Sequence, residues 1–146
     1  MREFTMNRRE LLAGSAAGAV GLWAINSSLH AAEEHHGQGS HCAEMCQKCE
    51  SECLSCSDHC VMELVAGHKD HAECLKHCLD CADVCQVCAS VMNRQGPNGK
   101  AIAKLCAEVC DRCAEQCEKF KNDKHCAECA KVCRQCAEEC RKAARA

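Results

Sequence analysis

The sequence HCAECAKVCRQCAEEC, residues 125–140, carries five cysteines separated by alternating steps of three and four residues. These steps have the 3.5-residue period of a heptad, so all five side chains lie on one stripe of one α-helix. The residues between them are mostly alanine, glutamate, lysine, glutamine and arginine, which are good helix formers. The stretch therefore predicts an amphipathic helix whose buried face is lined with sulfur.

The same spacing occurs in three further blocks, and the steps alternate between three and four in each of them. The twenty cysteines of the four blocks are Cys42, Cys46, Cys49, Cys53, Cys56 and Cys60; Cys74, Cys78, Cys81, Cys85 and Cys88; Cys106, Cys110, Cys113 and Cys117; and Cys126, Cys129, Cys133, Cys136 and Cys140. No proline interrupts a block. Each block therefore predicts one helix with all its thiols on one side.

Turn signals separate the blocks at Gly67, at Pro97 and at Asn122-Asp123, where either residue is a plausible helix N-cap. We predict helices over about residues 41–66, 70–94, 98–120 and 123–144. Because short connections make sequential helices antiparallel, the expected fold is all-α: an up-down-up-down four-helix bundle with a Cys-lined core.

Composition restricts the function. The chain has 146 residues and a net charge of −3, with no Tyr, one Trp and two Phe. Nucleic-acid binding is not expected without a basic excess and stacking aromatics. A thiol oxidoreductase needs one exposed cysteine of low pKa in a distinctive setting, whereas these thiols are many and equivalent. We therefore predict that the protein is not an enzyme.

The N-terminal residues 1–32 resemble a twin-arginine signal peptide, with Arg8-Arg9 before Leu11-Leu12 and a short apolar run up to Ile25. A plain secretion signal and an uncleaved anchor are the alternatives. Residues 33–40 are expected to be a flexible linker and residues 41–146 the bundle. This reading predicts contact with the twin-arginine translocase and an exported, periplasmic or extracytoplasmic protein.

Four uses of a sulfur-lined core compete. A disulfide-stapled helical interaction protein needs far fewer than twenty cysteines. Zinc, as in a soft-metal detoxification protein, prefers tetrahedral clusters with loop-borne CxxC motifs, and iron–sulfur clusters need their own loop spacing. Cu(I) is a soft ion that thiolates select, and it accepts only two or three sulfurs. Cu(I) is therefore the favoured ligand, with multiple ions bound and with zinc and disulfides as alternatives.

Cysteines four residues apart on one helix are spaced to clamp one Cu(I). The expected pairs are Cys42/Cys46, Cys49/Cys53, Cys56/Cys60, Cys74/Cys78, Cys81/Cys85, Cys106/Cys110, Cys113/Cys117, Cys129/Cys133 and Cys136/Cys140, which leaves Cys88 and Cys126 to pair across helices. Two thiolates around one Cu(I) leave a buried negative charge, whereas one Cu(I) per thiolate is neutral. The capacity should therefore approach one copper per cysteine.

The two ends of the bundle differ in sequence. Around the turn between the first two helices lie His59, Met62, His68 and His71, and His125 precedes the last helix. Imidazole and thioether bind copper more weakly than thiolate, which suits a relay. We expect the metal entrance here, with His59, Met62, His71 and His125 as ligands. The opposite end, with Met45, Met92, Ala103, Leu105 and Ala143, is expected to be closed, and Phe120 is expected to act as a plug.

The four in-register stripes, the last of them running from His125 to Cys140, resemble the bacterial copper storage proteins over about residues 40–146. The resemblance implies a four-helix protein that stores many Cu(I) ions along its core and assembles into a homotetramer. In that family a His occurs at the metal entrance where this chain has His59, and a soft ligand occurs at the position of His71. Exported members usually carry fewer cysteines than cytosolic members, so twenty cysteines behind an export signal combine features of both groups.

Overall fold

The computed structural model describes residues 37–146, with the exception of the Gln38 side chain. The proposed signal peptide, residues 1–32, lies outside the described residues, and so does the proposed linker up to residue 36. Within the described part, no helix combines the length and apolar character needed to cross a membrane.

Four α-helices follow one another, as predicted: α1 Gln38–Val65, α2 His71–Asn93, α3 Gly99–Cys117 and α4 Lys124–Arg145. A short 3₁₀ turn, Glu118–Phe120, extends α3. The helix α1 begins at Gln38, three residues before the predicted start, and so includes residues assigned to the linker. Gly37 forms its N-cap in an extended conformation, and the Ser40 N–H donates to the Gly37 carbonyl.

The predicted breaks terminate the helices by backbone hydrogen bonding. At the end of α1, Gly67 has φ +99°, and the N–H groups of Gly67 and His68 donate to the carbonyls of Leu64 and Glu63. This is the Schellman arrangement, which favours glycine because the residue must adopt a left-handed conformation. Gln95, with φ 51°, has the same role after α2.

Each helix packs against two neighbours, in the ring α1–α2–α3–α4 that closes with α4 against α1. The sulfur contacts give the direction of the helices: Cys42 near the start of α1 faces Cys140 near the end of α4, and Cys74 at the start of α2 faces Cys117 at the end of α3. Neighbouring helices are therefore antiparallel, and the predicted up-down-up-down bundle is confirmed.

The core of the bundle consists of sulfur and small side chains. Its buried apolar residues are the twenty cysteines, nine alanines and only two larger aliphatics, Val91 and Val132. Larger apolar residues such as Leu75 and Ile102 pack only partly buried against this core. Four thiol stripes thus meet along the bundle axis, and they define the candidate site.

Candidate metal centre

All twenty cysteines are free thiols, and each is at most 1% exposed. The helices place them where the heptad spacing predicts, on the inward stripe. The charged residues between them face solvent, and several form ion pairs that brace the helix surface. Arg134, for example, bridges Asp111 of α3 and Glu118 and holds the pKa of the Glu118 carboxyl below its usual range through a hydrogen bond. The bundle interior is therefore lined by thiols and small apolar side chains.

Sulfur atoms from different helices are in contact at many levels of the bundle. The Sγ of Cys46 lies 3.8 Å from Cys106 and 3.8 Å from Cys136, and Cys106 lies 3.7 Å from Cys85. These four residues come from four different helices, and all their Sγ atoms lie within 4.8 Å of one another. Each such layer offers several thiolates to one metal ion without any change of backbone.

The along-helix pairs predicted from the sequence are only one part of this network. Sulfurs four residues apart are separated by 3.9–4.0 Å in Cys106/Cys110, Cys129/Cys133 and Cys136/Cys140. Contacts between helices are as short or shorter, down to 3.5 Å for Cys74 and Cys117. The helical pairs are therefore links in a continuous array rather than isolated clamps.

The two cysteines left outside the along-helix pairs lie beside thiols of other helices. Cys88 shares a four-thiol group with Cys42, Cys46 and Cys140, and Cys126 lies 3.9 Å from Cys56. Adjacent groups share members: Cys46, Cys49 and Cys53 each belong to two of them. The thiols are thus arranged for bridging between neighbouring ions.

The thiols modulate one another's acidity through hydrogen bonds. The hydrogen bond with Cys106 raises the pKa of the Cys85 thiol, and burial adds to this effect. The pKa of Cys113 falls to about 6, chiefly because of its hydrogen bond with Cys117. Thiolate is the form that binds metal. Copper must therefore displace the protons of those thiols whose pKa is raised.

Three imidazoles gather at the end of the bundle formed by the α1–α2 turn and the start of α4, as the sequence predicts. The His59 and His125 rings stack with centroids 4.6 Å apart, and the His71 ring meets His59 edge-on at 6.1 Å. His71 also stacks on Phe120 at 4.0 Å. We call His59, His71 and His125 the mouth histidines.

The mouth histidines form a gradient of exposure. His125 is exposed, the His59 side chain is 17% exposed, and His71 is 7% exposed. Neither ring nitrogen of His71 has a hydrogen-bond partner, and Nδ1 lies 3.5 Å from the nearest carboxylate, that of Asp70. A buried ring nitrogen without a hydrogen-bond partner destabilises the fold, because it has lost its contact with water. A ligand bound to His71 would remove that cost.

Met62 is not brought into this cluster, although the sequence assigned it to the entrance. Met62 is 67% exposed to solvent. The thiol stripe of α1 continues from Cys60 to Glu63, so Met62 lies off the stripe and on the outer surface. His68 is also mainly exposed, and it pairs with Glu63.

Two carboxylates at the mouth, those of Asp123 and Glu63, were not predicted as site residues. Asp123 Oδ2 lies 2.7 Å from His59 Nε2, and Glu63 Oε1 lies 3.9 Å from the same nitrogen. Burial opposes ionisation of Asp123, but its pKa is lowered by the Cys126 backbone N–H and by His59. The sequence indicated Asp123 only as a helix cap, since its contact with α1 depends on tertiary packing.

The opposite end is built from small residues around Met92. Its sulfur lies 3.2 Å from the point where a Cβ on Gly99 would stand, and its methyl lies 3.6 Å from the same point on Gly39. Ala103 and Ala143 are buried there, as is expected of a closed end, but Leu105 is 44% exposed because it lies off the stripe. Met92 also borders a cavity lined by Gly96, Pro97 and Lys100.

Comparison with known proteins gives a consistent result. The sequence model of the copper storage protein family matches residues 35–145. A curated relative, the uncharacterized cysteine-rich protein YhjQ of Bacillus subtilis (strain 168), is 38% identical over 85 residues, which cover 58% of this chain and 76% of that protein.

Solved structures agree with this. The Cu(I)-bound copper storage protein BsCsp3 is 36% identical with a TM-score of 0.67, and the match covers 73% of this chain and 98% of that one. A cytosolic copper storage protein from Streptomyces lividans carrying five coppers is 30% identical with a TM-score of 0.69, and the match covers 75% of this chain and 93% of that one.

The expectation of an exported, periplasmic or extracytoplasmic protein is wrong by this comparison, because the similar Streptomyces lividans protein is cytosolic. The Arg8-Arg9 pattern that led to this expectation is short and lies outside the described residues. A reducing compartment, such as the cytosol in which that relative is found, keeps cysteine thiols free.

Proposed function

This chain belongs to the copper storage protein family, and from that premise we propose how its residues store and admit their cargo. The protein stores multiple Cu(I) ions in its Cys-lined core. We propose that each of the twenty cysteines contributes a thiolate, that the load approaches one copper per cysteine, and that ions enter past the mouth histidines.

The observation that carries this proposal is the sharing of thiols between neighbouring groups. Cys46 belongs to the group with Cys85, Cys106 and Cys136 and also to the group with Cys42 at the end of the bundle. A tetrahedral zinc site needs four thiolates of its own, whereas a thiolate that bridges two ions suits Cu(I), which takes two or three sulfurs. The array therefore supports a cuprous load over zinc.

Charge supports the same load. Four thiolates around one divalent zinc ion carry a net charge of −2, and five such sites would bury ten negative charges in the apolar core. One Cu(I) per thiolate leaves the core neutral, which avoids the large cost of burying unpaired charge. The proposed filling of about one copper per cysteine is thus the filling with the smallest desolvation penalty.

Thiol titration separates storage from the disulfide-stapled alternative. We expect about twenty reactive thiols in the metal-free protein after anaerobic unfolding, because all twenty cysteines are free in the fold. The folded protein should react slowly, since the sulfurs are shielded from solvent. A count near zero after unfolding without reductant would support bridges and contradict the storage array.

The entrance is proposed at the mouth histidines because they lead from solvent to the first thiols. His125 is exposed, His59 stacks on it, and His71 is buried three residues before Cys74 on the same stripe. Imidazole binds Cu(I) more weakly than thiolate, so an ion captured there can pass inward. The unpartnered nitrogens of His71 support a role in ligation.

Copper uptake measured against a competing chelator tests the entrance. We expect H59A and H71A to slow Cu(I) loading and release by about tenfold or more, as is typical when a metal's ligand set is disturbed. The final capacity should be unchanged, because no thiol is lost. H77A, a histidine on α2 away from the mouth, is the matched control. Unchanged rates in H59A and H71A would refute the entrance.

The remaining features of the proposal follow from the family and the surface. The chain belongs to a family of storage proteins, and we propose no catalytic step. The homotetramer implied by the resemblance stays a prediction. Exposed apolar side chains on the outer surface of α1, among them Leu54, Val61 and Val65, are available for such an assembly. Residues 41–146 are proposed as the storage domain.

A further inference from the structure

Asp123 connects two structural elements at the mouth of the bundle. It is the N-cap of α4, and its Oδ1 accepts hydrogen bonds from the backbone N–H groups of His125, at 2.9 Å, and Cys126, at 3.1 Å. These two residues are a mouth histidine and the first thiol of α4. One oxygen of the carboxylate thus fixes the backbone that carries both ligands.

The second oxygen of Asp123 reaches across to α1. Oδ2 lies 2.7 Å from His59 Nε2, and the next carboxylate oxygen, from Glu63, lies 3.9 Å from that nitrogen. Nε2 is buried and is not aligned for a hydrogen bond of full geometry, so the Asp123 oxygen is the acceptor in closest contact with it. The His59 and Asp123 side chains are only 17% and 28% exposed, so solvent screens their contact weakly.

This contact selects one nitrogen of His59 for copper. An ionised carboxylate accepts hydrogen bonds but cannot donate them, and it would repel a nitrogen lone pair held 2.7 Å away, so Nε2 must carry the ring hydrogen where it faces Asp123. In the neutral ring Nδ1 then keeps its lone pair, which is the form that binds a metal ion. Carboxylate groups commonly orient metal-binding histidines in this way, on the nitrogen opposite the metal.

We propose that Asp123 is a positioning residue for Cu(I) uptake: it holds His59 with Nδ1 free for copper while the same carboxylate caps α4 in front of Cys126. The inference rests on the proposed entrance at the mouth histidines. It assigns to one side chain the relative placement of ligands from α1 and α4. It also names Nδ1 of His59 as the ligand atom.

Two substitutions separate this role from helix capping. Asn and Ser are both good N-caps, so D123N and D123S should keep α4 intact. In D123N the side-chain amide can donate to His59 Nε2, which moves the ring hydrogen to Nδ1 and blocks copper there. In D123S the single hydroxyl is used by the cap and cannot reach His59, so the ring is released but either tautomer remains available.

The measurements are the initial rate of Cu(I) uptake from a competing chelator and the ¹⁵N chemical shifts of the His59 ring in the metal-free protein. We expect D123N to slow uptake by about tenfold or more, as much as H59A, and D123S to slow it less. The ring should carry its hydrogen on Nε2 in the parent protein and on Nδ1 in D123N. The matched control is D80N, which removes the same charge from an exposed site on α2.

A double variant shows whether Asp123 acts through His59. D123N combined with H59A should load no more slowly than H59A alone, because the residue that Asp123 positions is already absent. Additive effects would overturn the proposal, and so would parent-like uptake in D123N. If H59A itself loads at the parent rate, the entrance proposal fails as well. If only the Asp123 variants load normally, the entrance stands and this inference fails.

Discussion

Loading with Cu(I) is expected to raise the melting temperature of this protein by more than about 20 °C, the shift that corresponds to roughly 5 kcal/mol for a domain of this size. The reason lies in the core, where only Val91 and Val132 represent the larger buried aliphatic side chains. Cysteine and alanine bury little apolar area, and thiol–thiol hydrogen bonds are weak. The metal-free bundle therefore lacks much of the usual stabilisation.

Copper replaces those weak contacts with metal–thiolate bonds between helices. A group such as Cys46, Cys85, Cys106 and Cys136 joins all four helices, and an unfolded chain cannot offer the same preformed arrangement. Binding free energy thus becomes folding free energy. The shift is checked by anaerobic thermal unfolding, followed by circular dichroism, at increasing copper content.

Two controls define the result. Mg²⁺ prefers oxygen ligands and should leave the melting temperature unchanged. A competing Cu(I) chelator should return the loaded protein to the metal-free value. A melting temperature that does not respond to copper would mean that the ions bind outside the core, and the internal array would then be rejected.

The fold could be predicted from the sequence because its determinant is local. The alternation of three and four residues between cysteines fixes one buried face for each helix, and Gly67 and Pro97 separate the helices. The start of α1 was predicted late because residues 37–40 are polar and contain two glycines, which disfavour helices, whereas the helix begins at Gln38 and extends over Gly39 with Met92 packed beside it.

The sequence predicts which residues of the site lie on the buried face of each helix, but not which of them touch across helices. The heptad spacing correctly buries His71, three residues before Cys74, and the same rule places Met62 outside because the stripe continues to Glu63. Contacts between helices, such as Cys46 with Cys106, depend on the axial shift of one helix against another, which local spacing does not contain. The contact of Asp123 with His59 is of the same kind.

Replacing one complete thiol layer is expected to lower the copper capacity by about four ions out of roughly twenty, the loss that follows from one Cu(I) per thiolate. The layer is the group with one cysteine from each helix, and the variant is C46S/C85S/C106S/C136S. Serine is close to cysteine in size, but its hydroxyl is a hard oxygen donor that does not hold Cu(I). Capacity is measured by anaerobic titration to saturation with a competing chelator.

The matched control introduces four buried hydroxyls without removing a thiol. Ala43, Ala82, Ala107 and Ala137 are buried, one on each helix, and each follows or precedes a core cysteine. The variant A43S/A82S/A107S/A137S should keep the full capacity if it folds, which separates loss of ligands from the general effect of core polarity. A loss of only one ion in the cysteine variant would indicate four thiolates per metal, as in tetrahedral zinc sites. That result would contradict the neutral one-to-one array, because the same four sulfurs cannot both bridge neighbouring Cu(I) ions and enclose a single ion.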